Sequence, residues 1–286
     1  MLIIFTDSNT VNATEHLTQP GLPRVGQINF SNCLPINLPI ETGRVALEAN
    51  LIDGTPQELN LLIEAGNLEM SSSSSFLYLS RDDLQLIPNL SISCFGPVGS
   101  VLFFSKCKPE LLGDARVAVP RASATSIRLL ALMLKLEFGC SPKLEVVEKP
   151  QIDEGDAGFQ GALVIGDEAL RIDQAFSEGN HRIDMGEWWT SKMKLPMVFG
   201  VFVARRQFVE QNPESYRHVS ESLQTAREIG TGEMLEQVIE RAVSMTGLSR
   251  ARMETYFVDN LNWRLDESHR ESLALFSKLL RHNNLL

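Results

Sequence analysis

A chain of 286 residues with 43% apolar side chains can bury one large core or two smaller ones. Its 36 acidic residues against 26 basic ones leave a net charge of −10, which argues against nucleic acid or an anionic membrane as partner, since both require a basic face. No apolar run approaches the ~20 residues of a membrane span, and Met1-Leu2-Ile3-Ile4-Phe5 is too short for a signal-peptide core and has no basic residue ahead of it. A cytoplasmic location is therefore expected. Cys33, Cys94, Cys107 and Cys140 are widely spaced, so neither a disulfide framework nor a zinc site is expected.

Residues 1–22 are polar and aperiodic and end in Gln19-Pro20-Gly21, which reads as a flexible or loosely docked arm. From Pro23 the chain alternates. Arg24 to Phe30 reads as a strand, Leu38 to Glu41 leads into a turn at Gly43, and Val45 to Asn50 reads as a second strand. Thr55-Pro56 then opens a helix through Leu59 and Ile63 that ends at Gly66. Leu68 to Met70 leads into five serines, Ser71 to Ser75, with a further helix starting at Ser74 or Ser75. Leu86 to Phe95 and Val98 to Phe104 follow as strands, and Pro109 to Gly113 crosses to a second α/β unit. That unit holds strands at Val117 to Val119, Leu144 to Val147 and Ala162 to Ile165, and a helix over 126–138. Met197 to Ala204 forms a β-rich run. Helices are expected at Pro213 to Ile229, Met234 to Met245, Arg250 to Asn260 and Glu267 to Leu280.

One α/β unit followed by a second and a returning strand suggests a two-lobed α/β fold with a helical C-terminal segment. The crossovers would lie near residues 100–106 and 197–204, so lobe 1 would hold residues 23–103 plus 201–286 and lobe 2 residues 104–200. A ligand would sit between the lobes. The alternation alone supports a single doubly wound domain with a helical tail equally well.

Two polar segments are placed to hold an anion. Ser123-Ala124-Thr125-Ser126 stands at the start of a helix, where unpaired N–H groups and hydroxyls can meet a carboxylate, although an ordinary N-cap has the same composition. The serine run ends in a second such helix start. At the end of the first strand, Ser31, Asn32 and Cys33 cluster on the usual ligand edge of an α/β sheet, and Asn32 brings both donors and an acceptor. A turn-forming Asn ahead of Pro35 is the alternative.

In this order the segments resemble the chorismate dehydratase family of the futalosine route to menaquinone. Its Ser-Tyr-Leu-Asn-Thr-x-Pro opening is matched by Asn29 to Pro35, and its Pro-x-x-Leu-Asn helix by Pro56 to Asn60. Gly66 to Glu69 with Ser74-Ser75, Leu90 to Ser93, Ser100 to Lys106, and Ser123 to Ser126 come next. Ile165 to Leu170, Asp184 to Trp188, and Leu195 to Phe199 complete the series. Phe30-Ser31-Asn32-Cys33 and Leu77 depart from the family pattern at the presumed pocket, and residues 1–22 precede its usual start.

The resemblance implies a type II periplasmic-binding-protein fold and a lyase that dehydrates chorismate, a small dicarboxylate, to 3-[(1-carboxyvinyl)oxy]benzoate with no metal or cofactor. Asn32 and Asp167 are the expected catalytic residues. Asn32, Cys33, Ser74, Ser75, Ser100, Ser123, Thr125 and Ser126 are the expected substrate contacts, and Trp188 and Trp189 are candidates to line the ring. His16, His181, His218, His269 and His282 all lie outside the matched segments, so a histidine base is not expected. That also disfavours the related naphthoate synthase, which uses a pocket histidine. A non-catalytic binder of a small carboxylate on the same fold is the other alternative.

Overall fold

The computed structural model describes residues 19–151, 158–175 and 181–286. Residues 1–18 of the expected arm, with His16, lie outside the described residues. The rest of that arm is tied down by Asn50, whose side chain accepts from the Gln19 amide at 2.7 Å and donates to the Gln19 and Leu22 carbonyls at 3.0 and 3.1 Å.

The first unit runs β1 (Arg24–Ile28), α1 (Leu34–Glu41), β2 (Asn50–Gly54), α2 (Pro56–Glu64), β3 (Met70–Ser74), α3 (Ser75–Leu79) and β4 (Leu84–Cys94). The second runs β5 (Val101–Ser105), β6 (Arg116–Pro120), α4 (Ala124–Phe138), β7 (Lys143–Val147), β8 (Phe159–Ile165), α5 (Gly166–Ala175), β9 (His181–Asp184) and α6 (Met185–Met193). The chain returns through β10 (Met197–Arg205) and ends in α7 (Arg206–Gln211), α8 (Pro213–Gly230), α9 (Leu235–Thr246), α10 (Arg250–Thr255) and α11 (Glu267–His282).

The strands form two five-stranded sheets, β2-β1-β3-β10-β4 and β7-β6-β8-β5-β9. In each, three parallel strands are followed by a reversed one, β10 or β5, and then by a fifth strand antiparallel to it. The two halves thus share one plan, although no repeat is visible in the sequence. Both reversed strands belong wholly to one sheet. A division at 103/104 and 200/201 would cut β5 and β10 in mid-ladder, so the expected boundaries fall a few residues late. The chain changes sheets ahead of Val101 and again ahead of Met197. The first passage is pinned by the buried Asp184 carboxylate, which accepts from the amides of Val98 (3.0 Å) and Gly99 (2.8 Å) while capping α6 through Gly186 (2.9 Å) and Glu187 (3.1 Å).

Three elements differ from those expected. Leu34–Glu41 is helical despite two prolines: Pro35 occupies the first turn, where no N–H is needed, and Pro39 lies inside. Pro39 cannot bond the Pro35 carbonyl, and Gly230 of α8 packs on that carbonyl so closely that a Cβ there would stand 1.8 Å away. The second strand is Asn50–Gly54, not Val45 to Asn50. The Val45 amide donates to the Pro39 carbonyl at 2.9 Å to close the turn after α1, and pairing with β1 starts only at Asn50. Where the helical segment was expected to run unbroken to Asn260, α10 passes at Tyr256 into a π-turn, Tyr256–Asn260. The following residues lie along β4: Ser93 and Asn262 exchange backbone hydrogen bonds, and Ser91 donates to Trp263. The C-terminal helices therefore cover the first sheet and reach the junction between the two halves.

Candidate functional site

A narrow cleft of about 90 Å³ lies between the two sheets, at the edge where their parallel strands end. From the first half it is lined by Ile28 and Phe30 after β1, by Asn32 and Cys33 in the 3₁₀ turn that follows, and by Ser72, Ser73 and Ser74 of β3. From the second half come Ser100 and Val101 at the start of β5, Ser123 and Ser126 at the start of α4, Ile165 at the end of β8 and Gly166 at the start of α5. Ile92 of β4 and Phe199 and Gly200 of β10 close it. A wider outer groove between α3, β4 and α11, about 580 Å³, contains none of the expected site residues.

Six of the expected contacts thus meet: Asn32, Cys33, Ser74, Ser100, Ser123 and Ser126. Their hydrogen bonds decide what each can offer. Ser74 Oγ caps α3 by accepting from the Leu77 amide at 3.2 Å, which leaves its own proton to donate. Ser123 Oγ accepts from the Ser126 amide at 3.3 Å and donates to Ser126 Oγ at 2.7 Å, so the proton left to give belongs to Ser126. Asn32 accepts from the Cys33 thiol at 3.3 Å through Oδ1, and its amide nitrogen keeps its donors. Burial, with the Asp167 carboxylate nearby, pushes the Cys33 thiol up to about 12, so it stays neutral and is no thiolate nucleophile. The lining is therefore a set of neutral donors on apolar walls, with no Asp, Glu, Lys, Arg or His among the described residues that form it.

Three expected residues stand beside the cleft rather than in its wall. Ser75 Oγ donates to the Val198 carbonyl at 2.7 Å, and so can only accept from Thr125 Oγ1, 3.1 Å away. Thr125 Oγ1 also accepts from the Phe76 amide at 3.0 Å. Its proton and one lone pair are used within the protein, and the pair ties α3 of one half to α4 of the other. The Asp167 carboxylate accepts from the Ser31 hydroxyl, a second tie between the halves. Trp188 and Trp189 are core residues: Trp189 is fully buried, donates to Ser272 Oγ at 3.0 Å and meets Phe276 edge-on at 5.4 Å. The aromatic residues that line the cleft are Phe30, Phe199 and Phe202 instead.

The serine run is mostly self-satisfied. Ser71 donates to the Ser72 carbonyl at 2.7 Å, Ser73 donates to Asn60 Oδ1 at 2.7 Å, and Ser72 bonds to β1 through the Ile28 amide and the Gly26 carbonyl. A strand of small side chains suits this site, because a Cβ on Gly26 of β1 would lie 2.4 Å from Ser71 Oγ. Two residues of the C-terminal segment, which the sequence pattern does not single out, support the site. Trp263 Nε1 donates to the Asn32 carbonyl at 2.8 Å, and Tyr256 Oη donates to Ser100 Oγ at 2.8 Å. Phe257 stacks on Trp263 at 5.9 Å between them. Both polar contacts span more than 150 residues, which no local spacing can signal.

Among the described residues no three His, Cys, Asp or Glu side chains are grouped to share a metal ion, and no described helix is long and apolar enough to cross a membrane.

Comparison with known proteins places these features in context. The family described as menaquinone biosynthesis matches residues 23–282. A chorismate dehydratase of Thermus thermophilus is 32% identical over 278 residues, which cover 91% of this chain and 94% of that one. Among solved structures, a protein of Archaeoglobus fulgidus superposes with a TM-score of 0.73 at 21% identity, covering 92% of this chain and 98% of its own. A Candida albicans protein with the generic periplasmic-binding-protein fold gives 0.67 at 10% identity, over 93% and 90% of the two chains, and shares only the fold.

Proposed function

The chain belongs to the menaquinone biosynthesis family, and from that premise we propose that it is a cytoplasmic lyase that removes water from chorismate to give 3-[(1-carboxyvinyl)oxy]benzoate. The observation that carries this reading is the chemistry of the cleft: Asn32, Ser74, Ser100 and Ser126 retain protons to donate, and apolar walls with three phenylalanines flank them. Neutral donors between apolar walls suit the two carboxylates of chorismate, and they stabilise charge without titrating.

The reaction asks little else of the protein. Loss of the C3 proton places charge that is conjugated through the ring diene into the ring carboxylate. The C3–H electron pair becomes the C3–C4 double bond as hydroxide leaves C4, and hydroxide and proton depart as water. The gain of aromaticity drives the step. The resemblance to the family implies the side-chain carboxylate of the substrate itself as base, and we take that reading here; the bond that Asp167 accepts from Ser31 and the neutral Cys33 thiol agree with it. The acidic surface repels a dianion at long range, so capture relies on these local dipoles.

The test is product identity. Purified protein incubated with chorismate should yield an aromatic product lighter by one water, resolved by chromatography and mass. Recovery of unchanged chorismate from a protein that binds it would overturn the lyase reading in favour of a binder.

A further inference from the structure

The Ser100 side chain is the one cleft hydroxyl held by a tyrosine. Tyr256 Oη donates to Ser100 Oγ at 2.8 Å, and the Ser100 carbonyl accepts from the Gly166 amide at 2.8 Å, so side chain and backbone are both fixed. Ser100 is 2% exposed, and its accessible side faces the cleft. A hydroxyl that accepts from a phenol keeps its own proton, and the rotor is thereby steered away from Tyr256. Tyr256 itself is fully buried outside the cleft wall, with its ring against Phe257 at 5.5 Å. Burial raises its pKa above the ordinary phenol value, so it remains a donor throughout the working pH range.

The backbone around Tyr256 is unusual in the same direction. Here α10 widens into the π-turn Tyr256–Asn260, closed by the Leu261 amide donating to the Tyr256 carbonyl at 3.1 Å. Such turns cost helical regularity and recur where a side chain must be aimed. The turn is held against the passage between the sheets, where Asn260 Nδ2 donates to the Pro97 carbonyl at 3.0 Å.

We propose that Tyr256 is a positioning residue that sets the Ser100 hydroxyl so that its proton points into the cleft at a carboxylate of the bound substrate. This rests on the dehydratase reading of the cleft. A free hydroxyl samples three staggered orientations, and Tyr256 leaves Ser100 those that donate to the ligand.

The experiment is a double-mutant cycle on kcat/KM for chorismate and, in parallel, on its Kd. Ser100→Ala should lower kcat/KM by about 10²-fold, the scale of one preorganised donor. Tyr256→Phe, which keeps the buried ring, should lower it about tenfold, as expected for one hydrogen bond. Added to Ser100→Ala, Tyr256→Phe should change activity by less than about twofold, because its effect runs through Ser100. A Tyr256→Phe loss of the same size in both backgrounds would overturn the proposal and leave Tyr256 a packing residue, as would no loss in either. A wild type that neither binds nor converts chorismate would overturn the reading of the cleft and this role with it. A wild type that binds without turnover fails only as a lyase, and the cycle on Kd then decides for or against Tyr256.

Discussion

Thr125→Val should cost stability and spare ligand affinity, the reverse of what a hydroxyl at a helix start suggests from sequence. Thr125 is 1% exposed, and its Oγ1 accepts from the Phe76 amide at 3.0 Å and donates to Ser75 Oγ at 3.1 Å. Valine keeps the shape and removes both bonds. Ser75 retains its bond to the Val198 carbonyl at 2.7 Å, but the Phe76 N–H loses its partner. A buried donor left unpaired costs about 1–3 kcal/mol. For a chain of 286 residues, about 2 kcal/mol lowers Tm by about 3–4 °C. Calorimetry on wild type, Thr125→Val and Thr125→Ser measures this, with the serine variant recovering most of the loss. The Kd for chorismate should stay within about threefold of wild type, because Thr125 is outside the cleft wall. An unchanged Tm together with an affinity loss of tenfold or more would refute the placement and return Thr125 to the ligand.

Asn32→Ala should lower kcat by about 10²-fold while Tm changes little, since the bond from Trp263 goes to the Asn32 backbone carbonyl and survives the substitution. Steady-state kinetics with a melting curve separates these outcomes. At the start of α11, Asp266 is held at about 2 by Ser268 and His269. Its contribution is complete above the ordinary aspartate value near about 4 and is lost as pH falls through about 2. Because the side chain is 63% exposed the effect is small, so Asp266→Asn should lower Tm by about 1–2 °C at neutral pH and leave it unchanged near about pH 2.

The sequence makes the α/β alternation legible because its signals are local. Thr55 and Glu58 form a capping box that starts α2, and the Ser123 cap and the left-handed Gly139 bound α4. It also brings six of the expected contacts to one cleft, since helix starts and strand ends gather at the same edge of an α/β sheet. What it hides depends on contacts far along the chain. Leu38 to Glu41 reads only as the approach to a turn, and its place in a helix becomes clear once Gly230 is seen packed on the Pro35 carbonyl. The serine run lies between ordered segments and ends in a helix start at Ser74 or Ser75, and Met70–Ser74 is indeed a strand, but its full burial shows only once Gly26 is seen packed against Ser71. Ser75 and Thr125 have the composition of ligand donors, but each is the other's partner across the two halves. Tyr256 and Trp263 look like ordinary tail aromatics until the returning chain sets them behind Ser100 and Asn32.

The central claim is that a neutral cleft dehydrates its substrate by using the substrate's own side-chain carboxylate as base. The direct measurement compares turnover of chorismate with that of the same ring diol lacking the carboxyvinyl group. Both should bind through the ring carboxylate, and only chorismate should lose water. Dehydration of the truncated diol at a comparable rate would contradict the account, because the base would then belong to the protein.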